Sequence, residues 1–167
     1  SAGTVETANT TVGVGLAPAS GLTYTYQLPN LDAGIASIPS QSYPMTAGAQ
    51  NVTVALRNGG ITTLTSAVIN WSVNGVAQTP VNWTGALTSG NSATVTLGSY
   101  TFNTNSVYTI AATVSNPNNS TDGNAFNNTF SKRASTPFNG TYTVGASGAQ
   151  FSSFNDVASA LMSIGVG

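Results

Sequence analysis

One pattern constrains this chain more than any other. Between Leu31 and Arg133, apolar residues recur at every second position in short runs, and each run is closed by a turn signal. Val52, Val54 and Leu56 alternate with Thr53 and Ala55; Ile69, Trp71 and Val73 alternate with Asn70 and Ser72. Val81 and Trp83 begin a further run, and Ala93, Val95 and Leu97 alternate with Thr94 and Thr96. Tyr108, Ile110, Ala112 and Val114 follow, and a last run near Asn128–Lys132 surrounds Phe130. A period of two puts one face of a strand on a core and the other in water. The breaks are Asn58-Gly59-Gly60, Asn74-Gly75, Ser89-Gly90-Asn91, Asn103-Thr104-Asn105 and Asn116-Pro117-Asn118-Asn119, all turn formers. About seven short strands over about 100 residues predict an antiparallel β-sandwich of immunoglobulin type. The core candidates are Trp71, Ile69, Val73, Val95 and Ile110. No cysteine is present, so packing alone must hold the sheets together.

The flanks differ. Residues 1–30 are rich in Thr, Gly and Ala and read as an N-terminal extension or part of a preceding module. Residues 31–133 form the sandwich, and 134–167 a linker and the start of a further module. Within that last part, Thr141–Val144 reads as a short strand and Phe151–Val166 as a short helix. Phe154, Val157, Ala158 and Leu161 stand at i, i+3, i+4 and i+7. Ser152 or Ser153 can cap its start and Gly165 its end. Phe154, Val157 and Leu161, with Phe151 and Ile164, make a candidate interface for other chain. The expected class is therefore all-β: an immunoglobulin-like antiparallel sandwich with an N-terminal extension and a C-terminal strand plus short helix.

Charge is the scarce resource. The 167 residues carry three basic and four acidic side chains and no His, whereas Thr, Ser and Asn number 25, 20 and 18. Arg57, Lys132 and Arg133 cannot build a basic nucleic-acid surface. A Ser-His-Asp triad, a Cys-His pair and a zinc site all lack their residues. Glu6, Asp32, Asp122 and Asp156 fall in separate regions of the sequence, so turn and cap duty is expected rather than a catalytic pair. No catalytic or cofactor-binding residue is assigned. Asn116–Asn128 is rich in oxygen donors, and Asp122, Asn124 and Asn118 are its metal-ligand candidates; one carboxylate is few for Ca²⁺, so no metal is expected. Trp83, with Tyr24, Tyr26, Tyr43 and Tyr100, is the candidate ligand contact, because an exposed aromatic can stack on a sugar. Lys132 is expected to be solvated at a strand end. No apolar run approaches the roughly 20 residues of a bilayer span, so membrane insertion is not expected.

Several segments occur in the order of a known family. Leu31-Asp32-Ala33-Gly34-Ile35 resembles the first strand of CARDB-like domains of secreted Bacteroidota surface proteins. Ala67-Val68-Ile69-Asn70-Trp71-Ser72-Val73-Asn74-Gly75 resembles their central strand and turn. Val81-Asn82-Trp83-Thr84-Gly85, Leu87, Gly90 and Val95-Thr96-Leu97-Gly98 are similar to the hairpin that follows. Asn116-Pro117-Asn118-Asn119, Asp122 and Asn127-Asn128 are similar to the last turn. The tail, with Phe138-Asn139-Gly140-Thr141-Tyr142-Thr143-Val144 and Phe151, resembles the beginning of a right-handed parallel β-helix. The resemblance brings no catalytic residue. It implies a non-enzymatic structural or adhesive module of a large exported bacterial protein at the cell surface or outside the cell. Its implied partners are protein neighbours in a larger surface assembly, with glycans a further candidate. The alternatives are an accessory domain of a secreted polysaccharide-active enzyme and a carbohydrate-binding module.

Overall fold

The computed structural model describes residues 27–42, 44–138, 140–145 and 147–164. The expected extension, with Tyr24 and Tyr26, lies almost wholly outside the described residues, as do Tyr43 and Gly165. Among these residues eight strands and one α-helix follow in order: β1 (Ala33–Ser37), β2 (Gly48–Asn58), β3 (Leu64–Val73), β4 (Val76–Ala77), β5 (Val81–Leu87), β6 (Ser92–Phe102), β7 (Ser106–Ser115), β8 (Thr129–Thr136) and α1 (Phe154–Ile164). They make two antiparallel sheets. One has the order β1-β2-β6; in the other β4 and β5 both pair with β3, followed by β7 and β8.

The alternation sets which side chains meet between the sheets. Val52, Val54 and Leu56 of β2 and Val95 and Leu97 of β6 are buried against Ile69, Trp71 and Val73 of β3 and Ile110, Ala112 and Val114 of β7. Trp71 is 5 % exposed, and its indole Nε1 donates to Thr79 O at 3.0 Å. Irregularities in register change the phase of the pattern. The pairing slips between Leu64 and Ser66, so β3 buries Leu64 and then the odd-numbered Ala67, Ile69, Trp71 and Val73. A second slip lies opposite Val52 and Thr53, after which β6 turns Phe102 inward instead of continuing the odd series of Val95 and Leu97. Such bulges insert one residue and redirect those that follow. Ser40 serves the second bulge: its Oγ accepts from Thr53 N at 2.8 Å. Asn74 and Gly75 close the β3–β4 hairpin with φ of 50° and 78°, both in the left-handed region a tight hairpin turn demands.

Two departures from expectation lie in the last strand. β8 runs on to Thr136, whose hydroxyl accepts from Ser106 N and donates to Asn103 O, so the boundary expected at 133 cuts through a strand. Lys132 is not simply solvated. Its Nζ donates to Ile38 O at 2.9 Å and Ser40 O at 2.8 Å, beyond the end of β1.

The chain order gives the sandwich two distinct poles. At the loop pole β1, β3, β6 and β8 begin, and the long β7–β8 connection lies there. At the tail pole β8 ends and residues 137–164 follow. The stretch Thr141–Val144 is not a strand; it makes one parallel bridge, Val144 with Phe151. The rings of Phe138, Tyr142 and Phe151 stack edge to face or tilted at 5.1–5.9 Å. Tyr142 Oη donates to Asn105 Oδ1 at 3.2 Å, and Arg133 Nη2 donates to Ser163 O at 2.8 Å, so the tail is tied to the sandwich at both ends. α1 is capped by Ser153, whose Oγ accepts from Asp156 N at 3.2 Å. No helix among the described residues is long and apolar enough to cross a membrane.

Candidate functional site

The metal-ligand candidates Asp122, Asn124 and Asn118 lie at the loop pole, and so does Asp32. The β7–β8 connection, Asn116–Asn128, is a chain of Asx side chains that grip the neighbouring backbone. Asn116, Asn118 and Asn119 have φ of 52°, 49° and 57°, a left-handed conformation that asparagine tolerates better than most residues. This bend carries Asn118 to the start of β3. There its Oδ1 accepts from Thr65 N at 2.7 Å, Thr65 Oγ1 at 3.0 Å and Ser66 N at 3.2 Å, while its Nδ2 donates to Thr63 O at 3.0 Å.

The second half of the loop grips β1 instead. Asp122 Oδ2 accepts from Ala33 N at 3.1 Å and its Oδ1 from Asn124 N at 2.9 Å, while Gly123 N donates to Leu31 O at 2.8 Å. Asp32, only 4 % exposed, accepts from Asn127 Nδ2 at 2.7 Å and from Asn124 Nδ2 at 3.5 Å. The amide nitrogen of Asn128 belongs toward Ala33 O, Asn127 Oδ1 and Asn124 O, three acceptors at 3.0, 3.0 and 3.1 Å. The β2–β3 turn closes on the same group: a Cβ on Gly59 would stand 2.3 Å from Asp32 Oδ2, which requires glycine there. A cavity of about 350 Å³ lies alongside, lined by Asp32, Ile35, Arg57, Asn124 and Asn127 among others.

Two carboxylates far apart in sequence are thus neighbours in space, bridged by Asn124. Sequence reading placed Asp32 and Asp122 in separate regions and did not connect Asn127 with Asp32; the missing information is the sandwich topology that sets the start of β1 beside the β7–β8 loop. Their chemistry is that of a clasp. Each Asp122 oxygen holds a backbone N–H, and the buried Asp32 carboxylate is met by amide donors, as a buried charge requires. The metal-ligand candidates do not converge on one point. Asn118 spends its oxygen on β3, whereas Asp122 and Asn124 face β1.

The remaining candidates are placed as follows. Trp71, Ile69, Val73, Val95 and Ile110 are all buried between the sheets. Trp83 is not an exposed platform. The pairing of Ala67 with Trp83 and Ile69 with Val81 puts it on the inner face of β5, half-buried against the core. Its ring lies over Gly85, where a Cβ would come within 2.6 Å of Cζ2. Tyr100 packs at 4.9 Å on Phe102, which in turn packs at 4.9 Å on Tyr108, in an aromatic cluster at the end of the core. The helix face divides. Val157 and Leu161 turn toward Phe138, Tyr142 and Phe151 around a cavity of about 130 Å³, whereas Phe154 is 81 % exposed. Sequence reading also missed Phe126, which is 100 % exposed at the tip of the loop.

No protein-family model matches the chain, and no curated sequence matches it significantly. Solved structures do. A domain of a protein designated a cell surface protein of Methanosarcina acetivorans aligns with a TM-score of 0.50 and 26 % identity, over 68 % of this chain and 96 % of that one. A CARDB domain from Pyrococcus furiosus, crystallised in complex with di-metal ions, aligns with a TM-score of 0.46 and 23 % identity, over 66 % of this chain and 94 % of that one. The chain is an immunoglobulin-like β-sandwich, similar in fold to a domain of a cell surface protein.

Proposed function

We propose that this chain is a non-catalytic structural or adhesive module of an exported surface protein. The observation that carries the reading is its likeness, along almost the whole of that domain, to the Methanosarcina acetivorans cell-surface-protein domain. The loop pole supports it: the conspicuous carboxylates and amides there are committed to hydrogen bonds within the fold. The outer sheet faces add support, being built from Thr, Ser and Asn with few charges, so contact with neighbouring proteins meets little long-range repulsion. The tail belongs to the same reading as the start of a further module, supported by the parallel sense of the Val144–Phe151 bridge. The test is antibody labelling of intact cells that produce the protein, with antibody raised against the sandwich. Labelling before lysis is expected; labelling only after lysis overturns the reading.

A further inference from the structure

We propose that the loop-pole cavity binds a sugar acid, the Arg57 guanidinium holding its carboxylate; the proposal rests on the surface-module reading and names the class of ligand such a module takes up.

The cavity forms where a side chain is missing. Ala33 and Ile35 of β1 are buried in the core, so Gly34 and Ala36 belong to the outer face of the sheet. Gly34 pairs with Arg57 of β2. The Asn127 side chain from the β7–β8 loop lies over that glycine, where a Cβ would stand 2.8 Å from Asn127 Cγ. The hollow that remains, about 350 Å³, is lined by Gly34 and Ala36 on the sheet and by Arg57, Leu28, Asn124 and Asn127 around it. That volume lies within the range of small-molecule sites.

The hydrogen-bonding capacity left open there is that of a donor. Lys132 and Arg133 donate to backbone carbonyls, whereas Arg57 is exposed and makes no hydrogen bond or ion pair with the described residues. Its planar fork of N–H groups matches a carboxylate. Asn124 and Asn127 each donate one amide hydrogen to Asp32, and each keeps a second. Their oxygens are engaged, Asn124 Oδ1 by Phe126 N and Asn127 Oδ1 by the Asn128 amide. The buried Asp32 thus aligns two amides whose remaining hydrogens, with the guanidinium, ask for an acceptor-rich ligand. A carboxylate meets Arg57 in a bidentate pair. Ring hydroxyls take the amide hydrogens, and Leu28, 41 % exposed, packs on the C–H face of the ring. A simple carboxylate leaves the amides and the apolar wall unused, and an uncharged sugar leaves the guanidinium unpaired.

The test is an NMR titration of the whole isotope-labelled chain with sodium D-glucuronate, sodium D-galacturonate, D-glucose and sodium acetate. It follows the Arg57 Nε–H and the side-chain amides of Asn124 and Asn127. One ion-paired anchor with a few neutral hydrogen bonds gives a dissociation constant on the order of 1 mM. At least one of the two sugar acids is expected to shift all three signals with half-saturation in that range, and glucose and acetate to bind about tenfold more weakly or less. Arg57→Met is expected to abolish the shifts with its melt unchanged, since Arg57 holds nothing else in place; Arg57→Lys, which keeps the charge without the fork, should weaken them. No shift with either sugar acid at about 20 mM, shifts of the same size in Arg57→Met, or acetate or glucose binding as tightly as the sugar acids overturns the proposal. Each of these results leaves the surface-module reading standing, since cell labelling tests that separately.

Discussion

Replacing Asn118 tests whether the β7–β8 loop is a clasp. Its side chain makes four hydrogen bonds, three through one oxygen, to the backbone and one hydroxyl of residues 63–66. These groups are partly solvated, so each bond is worth the low end of the usual range, about 0.5 kcal/mol, and the set about 2 kcal/mol. The backbone adds a second cost. Asn118 sits at φ 49°, where alanine is disfavoured by about 1 kcal/mol and glycine is not. Asn118→Ala is therefore expected to lose about 3 kcal/mol and Asn118→Gly about 2 kcal/mol, which for a domain of this size lowers Tm by roughly 12 °C and 8 °C. Urea unfolding followed by tryptophan fluorescence measures both, with m unchanged between variants if the unfolded states are alike. An Asn118→Ala variant within about 1 kcal/mol of wild type would refute the clasp. So would a Ca²⁺-dependent rise in wild-type Tm that Asn118→Ala abolishes, since the oxygen would then serve a cation.

Trp71→Ala is expected to cost about 3–5 kcal/mol, the usual cost of emptying a buried indole site, read as a large fall in Tm; Trp71→Phe, which keeps a ring but loses the bond to Thr79 O, should lie between. Gly85→Ala drives a methyl into the Trp83 ring, so its melt should fall and Trp83 emission should shift to longer wavelength as the ring swings out. A chain of residues 27–137 should melt cooperatively, whereas one ending at Arg133 should lose most of that stability with Thr136 and its bonds. Asp156 accepts hydrogen bonds from the hydroxyls of Ser152 and Ser153, which hold its carboxyl below the ordinary value of 3.8. A lowered folded pKa means that the ionised form stabilises the start of α1. The contribution is complete above the ordinary carboxylate value and is lost as pH falls through the lowered one. NMR of α1 amides should show fraying only below about pH 4, and Asp156→Asn should remove that pH dependence.

The strands and the core were legible because period-two alternation is a local signal. Ile69, Trp71, Val73, Val95 and Ile110 each declare a face through their immediate neighbours. Trp83 was legible in the same way: Val81 and Trp83 against Asn82 and Thr84 already points it inward, and only its size suggested a platform. The phase changes at Leu64 and Phe102 were hidden, since a bulge depends on the partner strand. The loop-pole clasp was hidden more deeply. Asp32 and Asn127 are 95 residues apart, and nothing near either one announces the other. Lys132 followed the same rule: its partners, Ile38 O and Ser40 O, are backbone atoms with no residue signature.

Those two bonds bear on how the sandwich responds to pulling. The chain enters β1 at the loop pole and leaves β8 at the tail pole, so tension between its ends runs along the strands rather than across them. Drawn that way, the β1–β2 ladder is sheared and its bonds must yield together, instead of unzipping one after another. The Lys132 ammonium ties the far end of β1 to β8 and so couples the first strand to the last. A tether built this way resists a sudden tug more than thermodynamic stability alone would suggest.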